Sequence, residues 1–244
     1  MPNILAGDYV QALIGAYELS ADSTRVTIND RYDTYDVSSF GSQVHKFTNG
    51  KRNISIDHSG FMEAAAARSH PVLKAGNLSG MVSFVLGANA SPVVGDIAYS
   101  LPILQSKYGM SPAVGSVVPF NATFANQGDL GGWGVALAVP ISFTVTSNGS
   151  AVNNGGASSN GASAFLHILQ AAANDTYTII LEGSATGSFG GEQTTLGTFS
   201  ANASALTSER LALAGSIPQY VRWKATRTGF AGNTVRIAIT LIRH

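Results

Sequence analysis

Residues Val26–Phe61 read VTINDRYDTYDVSSFGSQVHKFTNGKRNISIDHSGF and carry a clear strand signal in this 244-residue chain. Apolar side chains occupy every second position in Arg25–Asn29 (RVTIN) and again in Asn53–Asp57 (NISID), which is the period of a half-buried β-strand. The pair Asn49-Gly50 favours the positive φ angles of a turn. The stretch therefore predicts strands joined by a long connection, Asp30–Lys51, that is rich in aromatic side chains.

The same alternation continues along the rest of the chain. It predicts strands at Leu78–Leu86, Val117–Phe124, Ile141–Thr146, Ala164–Leu169, Tyr177–Leu181, Glu209–Leu213, Tyr220–Ala225 and Thr234–Ile242. The pairs Asn148-Gly149 and Asn160-Gly161 mark further turns. One stretch, Phe61–Ala67 (FMEAAAA), predicts a short helix that ends before Pro71. The expected fold is mostly β and antiparallel, with one short helix.

A domain boundary is expected near residues 136–142, which divides the chain into 1–138 and 139–244. The first part carries 8 basic and 10 acidic residues and the second 6 basic and 4 acidic. Residues 147–163 (SNGSAVNNGGASSNGAS) could form a linker, but strands flank them and Val152 interrupts them, which favours a hairpin or crossover. About seven short strands in the second part predict a two-sheet antiparallel sandwich, Ig-like or jelly-roll-like.

Composition excludes several classes of protein. Charged residues make up 11% of the chain, with 14 basic against 14 acidic, so the cationic face that binds nucleic acid phosphates is not expected. Cysteine is absent from the sequence, which excludes disulfides and thiolate metal sites. No apolar run reaches the ~18 residues of a membrane span, and the first twenty residues lack the basic start of a signal peptide. Few charges also suit a subunit that covers its surface with partners.

The sequence predicts neither a catalytic residue nor a cofactor or metal. A metal site formed by His45, His58 and Asp57 requires an assumed fold, and Asp30, Asp33 and Asp36 lack the glycine of a calcium loop. His167, in the apolar run AFLHIL, is interpreted as a sandwich histidine with a hydrogen-bond partner. The acidic residues of the second part are interpreted as solvated groups at edges or turns; they are Asp175, Glu182, Glu192 and Glu209.

Two further motifs have simple structural interpretations. Gly131-Gly132-Trp133-Gly134 is expected to form a tight turn or bulge. In YVRWKATR, Arg222 and Lys224 share a strand face beside Trp223. A solvated outer face is favoured for these residues, and the alternative is a surface patch that binds an anion or sugar through Tyr220, Arg222, Trp223 and Lys224.

Val26–Phe61 also resembles the major tail (tail tube) proteins of long-tailed bacteriophages. In that pattern a strand leads to Asp-Val-[ST]-[ST]-Phe-Gly, here Asp36–Gly41, and then to an aromatic residue and a glycine with a basic neighbour, here Phe47 to Lys51. A strand that ends in glycine plus an aromatic follows, here Ile54–Phe61, and then a short helical stretch, here Met62–Ala67. Tyr99–Phe124 is similar to the second set of strands.

The C-terminal part is similar to the sandwich domain that is often fused to such proteins, in AFLHILQAAANDTYTIILEGSATGSF, SERLAL and QYVRWKAT. The resemblance covers most of the chain as a pattern of strands and turns. It departs from the family at Asn49 and Lys51–Asn53, where an acidic turn is usual.

The resemblance implies a non-enzymatic virion protein, a subunit of hexameric rings that stack into a tube, with the fused sandwich outside. Its partners would be copies of itself, other tail proteins, and viral DNA that passes through the lumen without specific binding; no membrane is involved. Such a protein is made in the cytoplasm of the bacterial host and resides in the phage tail. The connection Asp30–Lys51 would reach the next ring, with inter-subunit candidates Asp33, Tyr35, Asp36, Val37, Phe40, Phe47 and Lys51.

Three alternatives stay open at the level of sequence. The C-terminal sandwich could be a carbohydrate-binding or host-adhesion module with Trp223, Tyr220 or Phe230 as stacking platforms. The chain could instead be a capsid decoration protein, which also uses a sandwich without catalysis. A glycan hydrolase is a third possibility, for which no convincing pair of carboxylates can be named.

Overall fold

Antiparallel strands make up most of the computed structural model, which describes residues 10–41, 43–88, 91–128, 131–172, 175–229 and 232–244. The strands are β1 (Val10–Ile14), β2 (Tyr17–Glu18), β3 (Ser23–Asp36), β4 (Phe47–Phe61), β5 (Ser79–Leu86), β6 (Ile97–Met110), β7 (Pro119–Asn126), β8 (Gly132–Phe143), β9 (Ser147–Asn148), β10 (Val152–Asn153), β11 (Ala162–Gln170), β12 (Thr176–Ser184), β13 (Thr194–Thr198), β14 (Thr207–Leu213), β15 (Tyr220–Thr228) and β16 (Val235–Arg243). A helix, α1 (Ser69–Leu73), and a 3-10 turn (Ser20–Asp22) complete the list. The predicted mostly β, antiparallel fold is confirmed.

The N-terminal strands form two layers that share the long strand β6. Its first half pairs with β5, and its second half pairs with β7, which in turn pairs with β4 and β4 with β3. Pro102 lies between Ser100, the last residue paired with β8, and Ile103, the first paired with β7. A proline is tolerated there because no strand at this gap needs the N–H that proline lacks. Between the layers lies an apolar core that includes Phe84, Tyr99 and Phe124.

The C-terminal strands form the expected sandwich. One layer has the order β14-β11-β16-β8, and the other has the order β10-β15-β12-β13, with β9 also paired to β15. The core between them contains Trp223, Tyr177 and Leu166, all almost fully buried. Since β9 and β10 both pair with β15, the glycine-rich stretch 147–163 belongs to the sandwich.

Strand β8 spans the predicted domain boundary and joins the two parts into one sheet. It pairs with β6 through Gly132–Val135 and with β16 through Val135–Phe143. A Cβ on Gly134 would lie 2.0 Å from the Leu241 carbonyl oxygen, so only glycine permits this close approach of the strands. The glycine cluster therefore serves strand pairing, whereas a turn or bulge was expected. The two apolar cores draw mostly on separate halves of the chain, although Leu137 and Ala138 belong to the C-terminal core. The division at 138/139 stays a prediction.

The helix exists, but its predicted position is wrong. Phe61 ends β4, and α1 begins at Ser69 and includes Pro71 at its third residue, where the missing N–H has no intrahelical partner to lose. The buried Asp22 carboxylate accepts a hydrogen bond from the Ser69 N–H at 2.8 Å and pairs with Arg68. This tertiary contact fixes the start of the helix after the alanine run, where Ala67 has a φ of 62°.

Two smaller predictions also need correction. Ile141–Thr146 was expected to be a strand, but β8 begins earlier, at Gly132, and ends at Phe143. Asn49-Gly50 lies inside β4 and not in a turn, at a register shift that places Gly50 and Lys51 opposite Asp33. The turn at Asn160-Gly161 is confirmed, since Gly161 has a φ of 77°.

Candidate assembly surface

The connection Asp30–Lys51 forms the outer part of a long β-hairpin. Strand β4 pairs with β7 only from Ser55 to Phe61, so beyond that point β3 and β4 pair only with each other among the described strands. We call residues 31–53 the ribbon. At about 3.3 Å per residue, the ribbon extends roughly 20 Å beyond the paired sheet.

The ribbon exposes large apolar side chains. Phe40 is 115% exposed and Val44 71%. Other ribbon residues with strongly exposed apolar side chains are Tyr32, Tyr35, Val37 and Phe47. Monomeric soluble proteins rarely gather so many exposed apolar groups, and such patches mark interaction sites.

Asp36 shapes the tip of the ribbon. Its carboxylate accepts hydrogen bonds from the Ser38 N–H at 2.8 Å and the Ser38 hydroxyl, and lies 2.8 Å from His45 Nδ1. These bonds hold the pKa of Asp36 below its usual range, the Ser38 hydroxyl first and His45 after it. The Lys46 N–H in turn donates to the Ser38 hydroxyl at 2.9 Å. The result is a closed loop from which Val37 and Phe40 project into solvent.

A bulge lies midway along the ribbon, where Gly50 and Lys51 lie opposite Asp33 and next to Tyr35. The Tyr35 ring covers Gly50, where an added Cβ would lie 2.3 Å from the ring. Asp33 and Lys51 are exposed beside it. A bulge of this kind increases the local twist of a strand pair. It therefore twists the outer part of the ribbon relative to its base.

The opposite end of the same sheet carries a second set of exposed apolar groups. Strand β4 runs from Phe47 beside the tip to Phe61 at the far end, where it pairs with Pro119 of β7. Val114 and Val117 in the β6–β7 connection are 107% and 64% exposed, and Met110 and Phe61 are also exposed. We call Phe61, Met110, Val114 and Val117 the far end. Val117 lies in the predicted strand Val117–Phe124, whereas no role was predicted for Val114 from the sequence.

The ribbon tip and the far end are separated by the length of β4. Its fifteen residues span roughly 45–50 Å. One elongated sheet thus presents solvent-exposed apolar side chains at both of its ends.

The predicted surface patch on β15 is only partly at the surface. Trp223 is 1% exposed and stacks on Phe143 in the core, with ring centroids 5.4 Å apart. Its expected role as a surface platform is therefore wrong, because alternation along β15 turns it inward. Tyr220, Arg222 and Lys224 lie on the half-buried opposite face, and Phe230, the other proposed platform, falls outside the described residues.

The acidic residues of the C-terminal part make more hydrogen bonds and ion pairs than the sequence predicted, and two of them are buried. Glu182 is 4% exposed and accepts a hydrogen bond from Arg222 Nε at 2.8 Å, with Lys224 Nζ at 3.7 Å. Asp175 is buried and lies 3.2 Å from Arg227. The prediction of solvated carboxylates is wrong for these two residues, and Glu192 and Glu209 order nearby loops by hydrogen bonds. Arg222 and Lys224 thus already have an anionic partner.

The described histidines do not assemble a metal site. Within 10–41, 43–88 and the later described ranges, no group of three His, Asp or Glu residues could hold an ion. His58 is buried with its Nε2 2.6 Å from the Ser23 hydroxyl, and His45 lies far along the ribbon. His167 is buried between the Gly15 carbonyl oxygen at 2.7 Å and the Ser83 hydroxyl at 2.8 Å, which confirms its interpretation as a hydrogen-bonded sandwich histidine.

In the described part of the chain, no helix is long and apolar enough to cross a membrane.

Comparison with known proteins gives only distant likenesses. No family model and no curated protein matches the chain. A chain from the virion of a native gene transfer agent particle is 17% identical with a TM-score of 0.40, and the match covers 53% of this chain and 98% of that one. A chain from the tail of an empty gene transfer agent particle with C6 symmetry is 15% identical with a TM-score of 0.37, over 52% and 96% of the two chains.

The Dit protein of SPP1, described as a hub adsorption apparatus of phages that infect Gram-positive bacteria, is 10% identical with a TM-score of 0.33, over 96% and 99% of the two chains. All these TM-scores lie below 0.5, so the likenesses carry no argument about what this chain does.

Proposed function

We propose that this protein is a structural subunit of a phage tail that assembles head to tail with copies of itself. The observation that carries the proposal is the presence of exposed apolar side chains at both ends of one sheet, Phe40 at the ribbon tip and Val114 at the far end. The resemblance of Asp36–Gly41 and Ile54–Phe61 to tail tube proteins supports the same assignment.

The two apolar ends favour a heterologous contact, in which the tip of one copy meets the far end of the next. A contact between different surfaces leaves each end of the pair able to add a further copy, which is how open filaments grow. Burial of a large apolar side chain contributes about 1.5–3 kcal/mol. Several such side chains at each end supply a driving force for stacking that needs no ion pairs.

We further propose that the subunits form rings of six that stack into a tail tube in the virion, with the lumen as a passage for DNA. Among the described strands, β3 pairs only with β4 and leaves its other edge open. This edge and the small number of charged residues support closure by neighbouring copies, since edge strands are normally covered, charged or paired. Balanced charge, 14 basic against 14 acidic, suits a lumen that does not retain DNA by its phosphates. Other tail proteins would cap the terminal rings, and the subunit would act without catalysis after synthesis in the bacterial cytoplasm.

Negative-stain electron microscopy of the purified protein at high concentration tests this proposal. We expect stacked rings of constant diameter, and we expect Phe40→Asp and Val114→Asp each to abolish stacks, because each places a charge in a buried contact. Val145→Asp is the matched control, since Val145 is 60% exposed but lies at neither end of the sheet. A wild-type protein that stays a single particle, or equal loss of stacks in the control, contradicts the proposal.

A further inference from the structure

The ribbon leaves the body of the protein at a cluster of charged and aromatic side chains. Asp30 on β3 and Arg52 on β4 lie at the point where β4 loses its second partner, β7. From there outward, the ribbon has no other strand in the described structure to support it. An isolated two-stranded hairpin is marginally stable in water, so its direction must be fixed at the base.

Arg52 makes contacts in two directions. Its Nε donates to Asp30 Oδ1 at 2.7 Å and a second nitrogen pairs with Asp30 Oδ2, which gives a bidentate pair across the ribbon. Its third nitrogen donates to the Gly131 carbonyl oxygen at 2.9 Å, at the start of β8. One guanidinium thus joins both strands of the ribbon to the central sheet.

Tyr99 completes the cluster from the core side. Its ring is fully buried in the N-terminal core, and its hydroxyl donates to Asp30 Oδ2 at 3.1 Å. The Trp133 ring packs edge-on against it, with centroids 5.0 Å apart. The Arg52 hydrogen bonds lower the pKa of the Asp30 carboxyl, so the carboxylate stays charged at neutral pH.

We infer that Asp30, Arg52 and Tyr99 act as a clamp that fixes the direction of the ribbon relative to the sheet. They are positioning residues for the contact between copies, a consequence that rests on the proposed function. The Arg52 and Asp30 side chains are 25% and 21% exposed, so the bidentate pair is partly shielded from water. Charge-assisted, bidentate bonds of this kind are stronger and more directional than a surface ion pair.

Hydrogen exchange followed by mass spectrometry tests the clamp directly. In Arg52→Met, which keeps the apolar stem and removes every polar contact, we expect amides of residues 31–36 and 47–51 to exchange at least about tenfold faster. Exchange in β11 and β16 should stay at the wild-type rate. Arg31→Met is the matched control, because it removes a charge from an exposed ribbon position and should leave ribbon exchange unchanged.

Two further variants give a graded series. Arg52→Lys restores the charge but cannot make a bidentate pair, and we expect an intermediate rate. Tyr99→Phe removes one hydrogen bond, and we expect a smaller increase than Arg52→Met. Unchanged ribbon exchange in Arg52→Met, or faster exchange throughout the protein, overturns the inference.

The readout separates this inference from the proposed function. Ribbon exchange is measured on whatever particle the wild type forms, so the clamp can be tested even if no tubes appear. If the wild type does form stacks, Arg52→Met should lengthen the time to half-maximal stacking at least about tenfold, because a freely moving tip is rarely oriented for contact. If Arg52→Met loosens the ribbon but stacks form at the wild-type rate, the positioning role is contradicted and the clamp itself is not.

Discussion

His167 occupies the seam between the two halves of the protein, and burial keeps its ring neutral while its partners determine which ring nitrogen carries the proton. A carbonyl oxygen only accepts, so Nδ1 must donate to Gly15, and Nε2 then accepts from the Ser83 hydroxyl. Ser83 is joined to Ser100 at 2.8 Å, and Ser100 to Thr240 at 2.6 Å. This chain of bonds links β5 and β6 to β11 and β16.

His58 is a second buried neutral histidine. The Ser23 hydroxyl donates to the Leu19 carbonyl oxygen, so His58 Nε2 donates to Ser23, and its Nδ1 has no partner in the described structure. The Phe120 ring packs edge-on against it, and the Phe124 ring stacks on it. Burial lowers the pKa of both His58 and His167 to about 4.

These lowered pKa values predict that the protein loses stability in mild acid. The unfolded chain binds a proton at each histidine near pH 6.5, whereas the folded protein does so near pH 4. Between those values the free energy of unfolding should fall as pH falls, by up to about 1.4 kcal/mol per pH unit for each histidine. Urea unfolding at pH 7, 6, 5 and 4.5 measures this, and a flat profile would contradict the assignment of neutral buried rings.

Truncation of the two tryptophans to alanine should lower the free energy of unfolding by very different amounts. Trp223 is 1% exposed and Trp133 is 53% exposed. We expect Trp223→Ala to lower the free energy of unfolding by about 3–5 kcal/mol, and Trp133→Ala by less than half of that. Urea denaturation of both variants decides between core and surface roles, and equal losses would show that Trp223 is not the centre of the C-terminal core.

At the scale of elements, the pairing of β8 with β16 depends on glycine. Gly134→Ala would place a methyl group 2.0 Å from the Leu241 carbonyl oxygen, whereas Gly109→Ala, on β6, would meet nothing within 4 Å. We expect Gly134→Ala to cost at least about 2 kcal/mol of unfolding free energy, because backbone must move to relieve the contact. Thermal unfolding of the pair checks this prediction, and similar melting temperatures would count against it.

Many strands were predictable from sequence because apolar residues alternate with polar ones along them. Alternation in Tyr220–Ala225 and Thr234–Ile242 located β15 and β16 closely. Tertiary contacts decided the rest: Asp22 fixes the helix start at Ser69, and β8 runs through a glycine cluster that lacks alternation.

The candidate surface was predictable only in part. The aromatic content of Asp30–Lys51 singled out the ribbon, because exposed aromatic residues are unusual in a connection. Neither the far end nor the clamp had a local signal. The proposed role of Val114 follows from its position at the end of the sheet opposite the tip, and that of Arg52 from its contact with Gly131. Both positions depend on pairing between strands that are distant in the sequence.

At the scale of the whole molecule, the sheet β3-β4-β7-β6 is an elongated body with an apolar group of residues at each end. Because the two ends differ, each copy can use both in the same filament. A tip-to-tip contact would instead close after two particles and would need only the ribbon. The two arrangements differ in what happens when single-ended variants are mixed.

Mixing Phe40→Asp with Val114→Asp, followed by mass photometry and electron microscopy, is therefore the most direct measurement. The first variant keeps an intact far end and the second an intact tip. The mixture should therefore give particles of twice the mass of either variant alone, and no assemblies larger than these pairs. Tubes in the mixture, or pairing of Val114→Asp with itself, would contradict head-to-tail assembly of this subunit.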